Sequence, residues 1–188
     1  NGIVSLPTGA GKSIVIAQLA NDLNCDVLIL QPSKEILDQN RKKLLNYVDI
    51  EDVGVYSASF GEKAIKKYTF ATIGSVYKIP EDFAHFGIVL IDECHSLNNK
   101  KDQSMFTSFL DEVNEIRAKN GDTPTRVIGF TATPYRVYPT YFKDYMGDLY
   151  QANSIKVVTR TKPQFFDKII FNVNNHELVE QGFLCPLK

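Results

Sequence analysis

The sequence predicts an α/β domain with a mostly parallel central sheet covered by helices on both faces. Three observations carry this. Short apolar segments alternate with longer segments of helical period, the pattern of repeated βαβ units. Ile88-Val89-Leu90-Ile91 is apolar at every position, as a strand buried on both faces must be. The first apolar segment runs directly into a glycine-rich turn and then a helix, the context in which backbone N–H groups converge on a phosphate.

The elements follow in order. Residues 3–6 read as the first strand and 12–23 as the helix behind the glycine-rich turn. Residues 27–30 are the next apolar run. Residues 33–47 keep Ile36, Leu37, Leu44 and Leu45 on one helical face. Strands are expected at 54–56, 70–73, 88–91 and 127–130, with a helix over 103–119 stopped by Asn120-Gly121. After residue 135 the rhythm fails: 135–150 is rich in Tyr and Pro and has no clean period. Residues 154–168 gather Lys156, Arg160, Lys162 and Lys168 against Asp167 alone, which suits either a strand path for nucleic acid or a solvated face. A last strand is expected at 168–173 and a short helix at 174–181, ended by Gly182 with Pro186 beyond.

The chain has 188 residues, enough for one domain at about 100–200 residues each. With 44% hydrophobic and 23% charged residues, it can bury a core without a disulfide or metal staple. Its 21 basic and 22 acidic residues give a net charge of −1, so bulk electrostatics offer no case for nucleic acid and any such case must be local. The apolar runs are too short to span a membrane. Cys25, Cys94 and Cys185 are odd in number and far apart, which predicts free thiols and a cytoplasmic setting. The chain enters its first strand almost at once, without Met, which suggests a piece of a longer protein.

Leu6-Pro7-Thr8-Gly9-Ala10-Gly11-Lys12-Ser13 lies between the first strand and the first helix, where a phosphate loop belongs. Gly9 and Gly11 let the backbone curl so that N–H groups face phosphate oxygens. Lys12 would reach the β- and γ-phosphates and the Ser13 hydroxyl would ligate Mg²⁺. Leu6 stands where the strict pattern has Gly. The 88–91 strand delivers Asp92-Glu93-Cys94-His95 to the sheet edge where ligands bind in open α/β folds. Asp92 would hold Mg²⁺ through water, and Glu93 would orient and deprotonate an attacking water. His95 would couple this site to another. Cys94 has no second ligand cluster near it in sequence and reads as a small packed side chain. Asn99-Lys100-Lys101-Asp102 and Asp144-Tyr145-Met146-Gly147 match two guanine-nucleotide patterns but in the wrong order, and the first reads as a solvated turn.

Gly129-Phe130-Thr131-Ala132-Thr133-Pro134 completes an ordered trio with Pro7–Ser13 and Asp92–His95. The trio resembles the first RecA-like domain of superfamily 2 helicases and translocases: motif I, a DECH-box motif II and motif III. Gly129-Phe130-Thr131-Ala132-Thr133-Pro134-Tyr135-Arg136 is similar to the branch of restriction-enzyme motor subunits and RadD-type repair helicases. The ending at 178–187 resembles that branch's connector. The resemblance implies a P-loop NTPase, RecA-like three-layer sandwich over residues 1–173, with 174–188 beginning the connector to a second RecA-like domain. It implies ATP and Mg²⁺ held by Thr8, Gly9, Ala10, Gly11, Lys12 and Ser13, with Ser13 and Asp92 on the metal. Lys12, Asp92, Glu93 and His95 would be catalytic. Leu30-Gln31-Pro32-Ser33 with Gln39 resembles motif Ia, and Ala71–Ser75 motif Ib. By that likeness Pro32, Ser33, Thr72, Gly74 and Ser75 would hold a nucleic-acid strand by its phosphates, with ordinary helix capping as the rival explanation of Thr72 and Ser75. Thr131 and Thr133 would couple the two sites. DNA is favoured as partner, and RNA stays open because DECH boxes occur in RNA-directed members. The second domain, with its arginine finger, is absent, so the isolated chain is expected to be inactive or very weak. A non-enzymatic nucleotide-dependent binding module, a GTPase and a kinase are the rival readings. Oligomeric state is not addressed by these motifs.

Overall fold

The structure, a computed structural model, describes residues 1–98, 100–160 and 164–185, with the side chains of 96, 98, 100–104 and 136 set aside. Asn99, Lys162 and Pro186, and the side chains of Lys100, Lys101, Asp102 and Arg136, therefore lie outside the described residues. The elements are β1 (Gly2–Ser5), α1 (Lys12–Leu23), β2 (Val27–Leu30), α2 (Lys34–Leu44), β3 (Val53–Ser57), β4 (Glu62–Lys63), β5 (Tyr68–Ala71), α3 (Ile73–Val76), β6 (Ile88–Ile91), α4 (Lys100–Lys119), β7 (Arg126–Thr131), β8 (Tyr135–Lys143), β9 (Leu149–Val157), β10 (Lys168–Asn172) and α5 (Asn175–Glu180).

The main sheet runs β10-β1-β7-β6-β2-β5-β3-β4 and is parallel throughout except for the short edge strand β4. Alternation along each strand builds two cores. Val27, Ile29, Leu90 and Phe130 face Ile16, Ala17 and Ala20 of α1 and Leu37 and Leu44 of α2. Leu28, Leu30, Val89 and Ile91 face Phe106, Phe109, Leu110 and Val113 of α4. The result is the three-layer α/β sandwich that the apolar run at 88–91 predicts.

Local chemistry sets the helix ends. Ser33 is extended at the start of α2 and its Oγ accepts from Ile36 N at 3.4 Å; Arg41, Lys42 and Lys43 sit in the last turn, where the helix dipole favours cations. Asn174 caps α5 by accepting from Glu177 N at 2.9 Å, and Gly182 ends that turn with φ 76°.

Three departures from the sequence reading have physical causes. β5 ends at Ala71, two residues before the expected end, because Thr72 opens the helical turn α3 and Tyr77 N bonds back to Ile73 O. The helix expected over 33–47 stops at Leu44, where the backbone tightens into turns through Tyr47. The aperiodic stretch from 135 is an antiparallel hairpin, β8 paired with β9 from Tyr135↔Val157 to Lys143↔Leu149. Its turn is the Asp144–Gly147 segment: Asp144 Oδ1 accepts from Met146 N and Asp148 N, each at 2.9 Å, and Gly147 has φ 92°. Both faces are exposed, with Tyr141, Phe142, Tyr150 and Ile155 all open, so no inside–outside alternation marks it in sequence.

Candidate functional site

Because β1, β2, β5, β6 and β7 are parallel, the loops that follow them leave the sheet at one edge. The loop after β1 forms one wall of a cleft of about 400 Å³, lined by Pro7, Thr8, Gly9, Gly11, Lys12 and Ser13, with Asp92 and Glu93 opposite. Gly9 and Gly11 have φ 86° and 81°, a left-handed curl that a β-carbon would strain. A β-carbon on Gly9 would also stand 3.0 Å from Leu184 Cδ2, so the chain after α5 passes close over this loop. Ala10 packs instead against the core on the α1 side. Gly11 caps α1 without any side-chain hydrogen bond, and Lys12 and Ser13, the first two residues of this 12-residue helix, line the cleft.

The carboxylates meet the lysine here. Lys12 Nζ donates to Glu93 Oε1 and lies 3.4 Å from Asp92 Oδ1. The Asp92 side chain is only 2% exposed, that of Glu93 28%. Burying Asp92 requires partners, and it has them: Glu93 N donates to Oδ1 at 2.9 Å, and Asn40 Nδ2 donates to Oδ2 at 2.8 Å. Glu93 holds φ 49°, a left-handed conformation that a non-glycine residue adopts at a cost of about 1–2 kcal/mol. That kink turns the two neighbouring acids toward one lysine. The donor set fits a triphosphate with a divalent cation: a cation, a hydroxyl and helix N–H groups on one wall, oxygen ligands on the other.

The DECH turn connects to β7. His95 Nδ1 lies 2.8 Å from Thr131 Oγ1 and 3.2 Å from Glu93 Oε2. Thr131 is completely buried, and its Oγ1 also accepts from Thr133 N at 3.0 Å. Glu93, His95, Thr131 and Thr133 thus form a continuous polar chain from the carboxylates to the loop after β7. Cys94 points away from the cleft into the α4-side core, and burial pushes its thiol well above the ordinary range, so it is a packing residue.

A second cavity, of about 560 Å³, lies on the other side of Asp92. Pro32, Ser33, Thr72 and Gly74 line it, together with Ser59, and Asp92 borders both spaces. Ser75 does not line it. Its Oγ lies 3.0 Å from Thr72 Oγ1 and accepts from Ala58 N at 3.2 Å, which ties the turn after β5 to the end of β3. Gln39 is on the phosphate-loop cleft with Ile36 and Lys43, not in the cavity that holds Pro32 and Ser33. The lysines and arginine singled out at 154–168 do not line either space among the described residues.

Sequence reasoning missed Asn40. Its signal was present: with Leu37 and Leu44 it makes up the buried face of α2, and it is the polar member of that face.

The family model described as "Type III restriction enzyme, res subunit" matches residues 1–136. The DNA 3'-5' translocase XPB2 of Sulfurisphaera tokodaii is 31% identical over 136 residues, covering 72% of this chain and 27% of that protein. The chain therefore spans about a quarter of that curated relative's length. Among solved structures, the UvsW helicase from bacteriophage T4 superposes with a TM-score of 0.54 at 23% identity, covering 71% of this chain and 47% of that one. A nuclease-deletion mutant of the Type ISP restriction-modification enzyme LlaGI, in complex with a DNA substrate mimic, gives 0.57 at 16% identity over 97% of this chain and 18% of that one. At those identities the two structures speak to the fold.

Proposed function

Because the chain belongs to the type III restriction enzyme res subunit family, we propose that it supplies the ATP-hydrolysing domain of a DNA translocase or helicase. The observation that carries this is the cluster of Lys12, Asp92 and Glu93 across the phosphate-loop cleft. In this reading residues 1–173 are the first RecA-like domain. Residues 174–188 lead toward a second one in a longer protein.

Lys12 would leave the carboxylates for the β- and γ-phosphates, with Thr8, Gly9, Ala10, Gly11 and Ser13 supplying the rest of the cradle. That move frees Glu93 Oε1 to orient a water and take its proton. Ser13 Oγ and Asp92 would be the protein oxygens that hold Mg²⁺, which when bound would offset the charge of the phosphates. His95 keeps Glu93 oriented and reports its position through Thr131 to Thr133. One strand of DNA would run past Pro32, Ser33, Thr72 and Gly74, gripped by its phosphates, with Ser75 holding the shape of the turn. A grip of this kind rests on a few loops, so a net charge of −1 does not oppose it. DNA rather than RNA is supported by the related protein being described as a DNA 3'-5' translocase.

The test is ATP hydrolysis by the longer protein containing this chain, with and without single-stranded DNA. Lys12→Ala and Glu93→Gln should each abolish turnover. Hydrolysis at the wild-type rate in either variant would overturn the proposal.

A further inference from the structure

Asn40 sits two turns into α2 and is 1% exposed. Its helical neighbours on the buried face, Leu37 and Leu44, are wholly buried apolar residues. An apolar residue would suit the helix face itself but would leave Asp92 Oδ2 without its amide donor. The amide instead gives up its Nδ2 hydrogen bond to Asp92 Oδ2 at 2.8 Å and leaves its own Oδ1 buried without a partner. An unsatisfied buried acceptor is costly. A local rule broken in this way marks a site where function has outweighed packing.

The rest of the Asp92 environment shows what the amide does. Oδ1 takes the Glu93 N–H and faces Lys12, and Oδ2 takes Asn40. Each oxygen thus has its own partner, and rotation of the carboxylate would break both hydrogen bonds. Asn40 belongs to a helix whose first turn is capped by Ser33, beside the second cavity, so this anchor arrives from outside both the phosphate loop and the DECH turn.

We infer that Asn40 is a positioning residue: it fixes the Asp92 carboxylate in the orientation that the divalent cation of the nucleotide complex requires. This rests on the nucleotide reading proposed above. Side chains that orient a ligand to a metal typically contribute 10–100-fold to metal affinity. The test is binding of a fluorescent ATP analogue to the longer protein containing this chain, as wild type and as Asn40→Leu and Asn40→Ala, first in EDTA and then across a MgCl₂ series. Circular dichroism identifies the variants that are folded. In a folded variant, affinity in EDTA should stay within twofold of wild type, while the Mg²⁺ concentration at half-effect should rise about tenfold or more. Leu44→Ala, which loosens the same helix, should leave that midpoint in place. A folded Asn40 variant whose Mg²⁺ midpoint stays within twofold of wild type overturns the inference, as does an equal shift in Leu44→Ala. If the wild-type protein binds the analogue under neither condition, the nucleotide reading fails and this inference falls with it. Binding by wild type with an unmoved Asn40 midpoint refutes Asn40 alone.

Discussion

Gly129→Ala tests the packing that sets the DECH turn. A β-carbon at Gly129 in β7 would lie 2.6 Å from Phe166 Cζ, 2.7 Å from Cys94 Sγ and 2.8 Å from Cys94 Cβ. Carbon pairs prefer about 3.5–4.0 Å, so each neighbour must retreat by roughly 1 Å. Phe166 and Cys94 are both completely buried and have no solvent side to swing toward. Overpacking of a rigid core typically costs about 1–3 kcal/mol, and two immobile neighbours place this case near the upper end, about 2–3 kcal/mol. Urea unfolding followed by circular dichroism reads this out. With a slope of about 1–3 kcal/mol/M the midpoint should fall by roughly 1 M. Adding Phe166→Leu, which removes the closest ring atom, should make the double variant less destabilised than the sum of the two single changes. A Gly129→Ala protein within about 0.5 kcal/mol of wild type, or strict additivity with Phe166→Leu, would refute the reasoning.

Two further outcomes follow from the site. Thr131→Val keeps the shape but removes the hydroxyl shared by His95 and Thr133 N; denaturant unfolding should show a loss of about 1–3 kcal/mol, and an unchanged midpoint would count against the polar chain. The buried, neutral Cys94 thiol should resist iodoacetamide at pH 8 in the native chain while exposed Cys185 is labelled, and mass spectrometry should find Cys94 labelled only after denaturation; native labelling of Cys94 would show that its pocket opens.

What could be read in the sequence was what depends on local chemistry. The 88–91 strand was legible because burial on both faces removes every polar residue, and α1 because the loop before it has glycines where left-handed backbone is needed. Motif spacing brought Lys12, Asp92 and Glu93 under one hypothesis. That Lys12 bonds Glu93 across 81 positions, or His95 approaches Thr131 across 36, depends on strand order, which no local pattern encodes. The β8–β9 hairpin was hidden because alternation signals a strand only when one face is buried. β5 was displaced because Thr72 turns the chain although Phe70-Ala71-Thr72-Ile73 reads as an extended run. Gln39 was misplaced for a different reason: its helix borders two spaces, and sequence likeness grouped it with Pro32 and Ser33 on the other one.

The central claim, that Lys12, Asp92 and Glu93 form a hydrolytic nucleotide site, is tested most directly by Glu93→Gln in the longer protein. Phosphate release should be measured under saturating ATP, Mg²⁺ and single-stranded DNA, alongside binding of ATP. The account predicts ATP binding at wild-type affinity or better with phosphate release reduced by about 10²-fold or more, the usual contribution of a positioned general base. Phosphate release at the wild-type rate would contradict it.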